Sequence, residues 1–164
     1  MSGTVVGLLT LVAAVGAGLS AGVYLAFSTV VVPGLNTRIP REAIVAMNAI
    51  NHAAPRNPLL LLVLLGTGLV CVVLLVLGVL QRDEPAGRWG LLGAVLYLLS
   101  VLILIGYHAP HNERLMRVDP TTVDADAVWA RFCSPWMVWN HLRTLTASIG
   151  TVCLTIALTG LPAR

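Results

Sequence analysis

The chain has no lysine; all ten of its basic residues are arginine. Charge of either sign is scarce. Charged residues make up 10% of the 164 residues, where soluble domains carry about 25%. The three cysteines, Cys71, Cys133 and Cys153, form no CxxC or other paired spacing. Neither a disulfide framework nor a zinc cage is therefore indicated. A net charge of +3 with no basic stripe and no interleaved aromatics argues against a nucleic-acid partner. A glycine-rich phosphate loop and a serine nucleophile elbow are also missing. All seven acidic residues fall between the apolar stretches, and there is no clear inverted repeat. Both absences argue against a proton-coupled transporter, which needs ionisable groups inside its spans.

What the chain has is grease, at 57% hydrophobic residues. Four stretches lack charge: 1–37, 57–81, 89–109 and 144–163. Each supplies the roughly 20 helical residues that cross a bilayer core. The first has no basic n-region and runs past the length of a signal-peptide core, so it reads as a retained span. The expected fold is all-α, a single four-helix transmembrane domain over 1–164. Its spans lie near 5–32, 59–80, 89–107 and 136–161, with Trp89 as an interfacial anchor. Pro33-Gly34 is expected to end the first span, and Pro110 to break helix between His108 and His111. Gly18-x-x-x-Gly22 permits close helix approach, within the bundle first and in a homo-oligomer second.

Two longer connections, 34–56 and 108–135, share one face of this bundle. In the first, Ile44, Met47 and Ile50 recur at helical spacing, which predicts a short amphipathic helix. In the second, Asp124 and Asp126 precede another short helix at 127–132, where acidic residues suit the helix dipole. Arginine counts leave the orientation open: Arg82, Arg88 and Arg164 lie on one side and the other seven on the side of the long connections.

All four histidines, His52, His108, His111 and His141, fall on the side of the long connections. Imidazole can be a metal ligand, a general base or a plain hydrogen-bonding group. His108-x-x-His111 without a nearby third ligand is a weak metal motif. At the start of the fourth span, Trp136, Asn140 and Arg143 share one helical face, with His141 turned about 100° away. A charge one turn into an apolar helix is costly unless it faces the bundle interior or snorkels to the interface. Arg143 is thus a functional candidate, or a snorkelling arginine paired with Glu113 or a phosphate.

At these residues the chain resembles the anthrone oxygenase-like integral membrane family. The similarity rests on Phe27-Ser28 with Pro33-Gly34-Leu35, on Ala46 to Asn51, on Asn57-Pro58, and on Pro110-x-Asn112-x-x-Leu115. Its most specific block is Trp136-x-x-Trp139-Asn140-His141-x-Arg143-Thr144. The resemblance implies four membrane helices and, as in some members, oxidation of an anthrone to an anthraquinone with dioxygen. It points to Asn51, Asn57, Asn112, Asn140, His141 and Arg143 as the polar positions. This chain departs from the pattern at His52, His108 and His111.

The leading expectation is a membrane monooxygenase acting on a hydrophobic aromatic or phenolic, anthrone-like substrate, with dioxygen as co-substrate. Without a cofactor, His141 takes a proton, Arg143 stabilises the oxyanion, and Asn140 and Asn112 orient the substrate. Asn51, Asn57, Trp136, Trp139 and Tyr24 complete the binding site. In a metal-dependent version, His52, His108, His111 and His141 hold copper or iron. The alternative is a non-enzymatic small-molecule-binding or assembly subunit. In either case the partner is a lipid bilayer, expected to be a bacterial cytoplasmic membrane.

Overall fold

Backbone placed in hydrocarbon must satisfy its own polar groups, and this chain does so as helix. The computed structural model describes residues 3–160 except 82 and 122. Four helices are long and apolar enough to cross a membrane: α1 (Gly3–Leu35), α3 (Pro58–Leu80), α4 (Pro85–Met116) and α5 (Ala125–Thr159). The amphipathic α2 (Pro40–Ala53) connects α1 to α3. No strand occurs among the described residues. The chain is thus a four-helix membrane bundle. The expected end of the fourth span at Leu161 lies outside the described residues, as do Arg82 and Arg164.

The helices close a ring, with α1 against α3, α3 against α4, α4 against α5 and α5 back against α1. Tyr24, Leu64, Cys71, Tyr97, Ala147 and Leu154 are among the residues that fill its core. A second cluster, built on Ile44, Met47, Leu115, Trp129, Phe132 and Trp136, seals α2 over one end. The predicted face of α2 is the one buried, with Ile44 and Met47 fully inside and Ile50 partly so.

Glycine sets the tightest approaches. A Cβ at Gly93 of α4 would lie 2.9 Å from the Gly150 carbonyl oxygen of α5 and 2.7 Å from Leu154 Cγ. A Cβ at Gly16 would overlap Thr67 Oγ1 of α3. In the GxxxG pair, Gly18 faces Thr151 of α5, whereas Gly22 meets nothing within 4 Å.

Three helix boundaries differ from the sequence reading. α1 continues through Pro33 to Leu35, and α4 through Pro110 to Met116. The short helix expected at 127–132 is the first part of α5, which runs unbroken across Pro135. Asp124 starts it, accepting a hydrogen bond from Ala127 N–H at 3.1 Å. The prolines at 33 and 110 survive for a shared reason. Each is the second residue after a π turn, Phe27–Val31 in α1 and Leu104–His108 in α4. Val32 N–H bonds the Phe27 carbonyl and Ala109 N–H the Leu104 carbonyl, five residues back. Proline lacks an N–H and its ring collides with the carbonyl four residues earlier. A widened turn just before it relieves that collision. A third π turn, Leu62–Gly66, lies in α3. There the Leu64 carbonyl accepts the Tyr97 hydroxyl at 2.9 Å, and Tyr97 also bonds Ser20.

Candidate functional site

Helical periodicity puts Trp136, Asn140 and Arg143 on one face of α5, and that face is inside. They are 2%, 0% and 5% exposed. Asn140 is the hinge of the group. Its amide nitrogen donates to the Tyr24 carbonyl at 2.9 Å and to Ser28 Oγ at 2.6 Å, both on α1. Its carbonyl oxygen accepts Arg143 Nε at 2.8 Å. The amide therefore ties α5 to the π turn of α1 and aims the guanidinium at the same time.

Arg143 has no ion-pair partner among the described residues, and its guanidinium makes only that one hydrogen bond. Glu113, the expected alternative partner, pairs with Arg117 on the surface. The guanidinium carbon lies 4.2 Å from the centre of the Tyr24 ring and 5.6 Å from that of Trp136. A desolvated cation–π contact is worth about 2 kcal/mol. Burying an ion costs several kcal/mol even after relaxation. The aromatic faces thus offset only part of the cost, and the arrangement favours an anionic guest.

His108 also packs on Trp136, ring centres 4.8 Å apart and edge-on. It closes the π turn of α4 and is fully buried; its ring nitrogens make no hydrogen bond of full geometry, and the Trp139 backbone lies close by. The Tyr24 hydroxyl is likewise buried, with Ser100 beside it but no hydrogen bond of full geometry. Buried polar atoms without partners are rare and call for an explanation. Here they flank a cation that has no ion-pair partner among the described residues. A base, an oxyanion binder and a hydroxyl donor around an otherwise apolar core suit proton removal from a carbon or oxygen acid.

The other predicted residues divide between this core and its surroundings. Asn112 accepts the Trp136 indole N–H at 2.9 Å, so it braces the ring between Arg143 and His108. Asn51 is buried, and its amide nitrogen has no hydrogen-bond partner. Asn57 is a helix cap, accepting Leu60 N–H at 3.0 Å at the start of α3. Trp139 is 39% exposed and stacks on Tyr107, ring centres 5.0 Å apart. His111 is held between the rings of Tyr107 and Phe132. His52 and His141 are exposed. The structure does not bring His141 to Asn140 and Arg143, because one residue of helix turns it out of the bundle. The four histidines are consequently dispersed. Among the described residues no three His, Cys, Asp or Glu side chains gather as metal ligands. The donor set therefore does not fit copper or iron held by His52, His108, His111 and His141 together.

Sequence reasoning passed over Ser28, Ser100 and Tyr97 as functional residues; all three are buried. Their signal was present: polar side chains inside uncharged runs must find partners in the bundle.

A family profile described as anthrone oxygenase matches residues 59–153, more than half of the chain. The match covers α3, α4 and most of α5, including His108, Asn112, Asn140 and Arg143. No curated protein matches the chain, and no solved structure does.

Proposed function

The chain belongs to the anthrone oxygenase family, and from that premise we propose that it is a membrane oxygenase. Its substrate is a hydrophobic aromatic ketone or phenol of the anthrone type, and its oxidant is dioxygen. One observation carries the reading: a buried guanidinium with no carboxylate partner, held by Asn140 beside an imidazole that makes no hydrogen bond of full geometry.

His108 takes a proton from the acidic carbon next to the aromatic carbonyl system. The electron pair spreads onto the substrate oxygen, which meets the guanidinium of Arg143. The carbanion gives electrons to dioxygen and forms a C–O bond, and protonation yields a hydroperoxide. Loss of the second carbon-bound proton then cleaves the O–O bond. The carbon ends as a carbonyl and the other oxygen as water. In net terms CH2 and O2 become C=O and H2O, with no external reductant. A positioned base contributes typically about 10²–10⁴-fold. A preorganised oxyanion donor contributes about 10²–10³-fold. His108 takes the role that the family block suggested for His141, because His141 faces outward.

Detergent-purified protein given anthrone under oxygen tests this. The expected result is oxygen uptake matched by anthraquinone formation, lost in Arg143→Gln and retained in His141→Ala. Undiminished turnover in Arg143→Gln overturns the reading. Saturable anthrone binding with no oxygen uptake favours the binding-subunit alternative.

A further inference from the structure

A cavity of about 310 Å³ opens between the end of α2, α3 and the π turn of α4. This is the lower end of the size range of small-molecule sites, about 300–1,000 Å³. Its rim includes Leu61, Leu65 and Ile105, which are 37%, 41% and 57% exposed on the outer surface of membrane-spanning helices. The mouth therefore faces lipid. Apart from Asn51 and Asn112, the lining side chains are leucine, isoleucine, alanine, proline and methionine, with no charge among them.

The two amides are informative because of what each has left to offer. Asn112 already accepts the Trp136 indole N–H, so its carbonyl oxygen is used and its NH2 is free to donate. Asn51 is 8% exposed, and its NH2 has no partner. An unpaired amide in an apolar wall carries the cost of its lost hydration. A ligand carbonyl oxygen relieves that cost once the Asn51 amide turns its NH2 into the cavity, and a hydrocarbon does not.

We propose that this cavity is a lateral entry site for uncharged, membrane-soluble ketones, with Asn51 and Asn112 as the residues that select a carbonyl over plain hydrocarbon. The inference deepens the oxygenase reading and rests on it for the link to turnover. The ligand arrives neutral from the bilayer and is recognised as a carbonyl here. Only beyond Trp136, at Arg143, does it acquire charge. Asn112 connects the stations, since the residue that meets the ligand also braces Trp136.

The test is anaerobic binding of anthraquinone and of anthracene, two compounds of similar shape that differ in carbonyl groups, to the full-length protein in detergent. The wild type is expected to prefer anthraquinone by about tenfold, the scale of one hydrogen bond. Asn51→Leu strands no protein group, because the Asn51 NH2 bonds none. It should abolish the preference while leaving anthracene binding intact, which also reports that the variant is folded. Should the Leu variant not fold, Asn51→Ala gives the same comparison. A preference that persists without the Asn51 amide overturns the proposal, as does failure of both compounds to saturate. Arg143→Gln should retain the preference, so failure of the oxygenase chemistry and failure of this site are read separately.

Discussion

Arg143 donates its Nε to Asn140 Oδ1 at 2.8 Å, one turn back along the same helix. The amide that holds the guanidinium is itself held by the Tyr24 carbonyl and Ser28 Oγ on the neighbouring helix. Aim and helix packing are thereby fixed by one side chain. Asn140→Ala should leave Arg143 in place but badly directed. Misplacement of about 1 Å can lower a rate by about 10²-fold. We expect kcat to fall on that scale with KM little changed. A rise in KM alone would show that Asn140 contacts substrate rather than positioning Arg143.

Asn140→Asp distinguishes charge from geometry. A carboxylate at this position pairs with Arg143 and neutralises the cation that the substrate oxyanion requires. Activity should be lost, and the thermal midpoint in detergent should fall, because a carboxylate cannot donate to the Tyr24 carbonyl as the amide does. An active Asp variant would remove the oxyanion role from Arg143.

Arg143→Met separates stability from function more sharply. Replacing buried ionic groups with apolar side chains of similar size is often neutral or stabilising. The variant should therefore melt no lower than wild type and lose at least about 10²-fold in kcat/KM. Arg143→Lys should not restore the rate, because a compact ammonium lacks the planar fork that spans Asn140 and the two aromatic faces. Severe unfolding of the Met variant would recast the residue as structural.

His108 and His141 give opposed expectations. His108→Ala should reduce turnover by about 10²–10⁴-fold, the range of a general base. His141→Ala should change it less than twofold, since the ring faces outward. Parallel turnover assays decide between them, and equal losses would return His141 to the site.

At the α4–α5 crossing, Gly93→Val should lower the thermal midpoint. Its side chain meets the Gly150 carbonyl and Leu154, and overpacking costs about 1–3 kcal/mol. Gly22→Ala meets nothing within 4 Å and should be neutral.

Much of this was legible in the chain. Lack of charge located the four membrane helices, and helical spacing found the buried faces of α2 and of Trp136, Asn140 and Arg143. Periodicity fails where the period itself changes. Pro33 and Pro110 read as stops because proline removes a donor, and only the assembled helices reveal the wider turns that accommodate them. With Pro110 read as a break, His108 fell in a connection rather than on a helix face, which is why its burial went unseen. The pairing of Asn140 with Ser28 lay beyond reach for another reason: it joins residues 112 positions apart.

A π turn amounts to an α-helix with a residue to spare. Between Tyr97, bonded to α1 and α3, and Asn112, bonded to α5, the α4 helix carries that surplus residue within 104–108. Deleting a single residue there would restore a regular helix and rotate the two halves by about 100° relative to each other. The inward imidazole of His108 is thus a matter of chain length as much as of residue type. Losing one codon in this stretch would suffice to turn the candidate base out of the core, together with the side chains on its half of the helix.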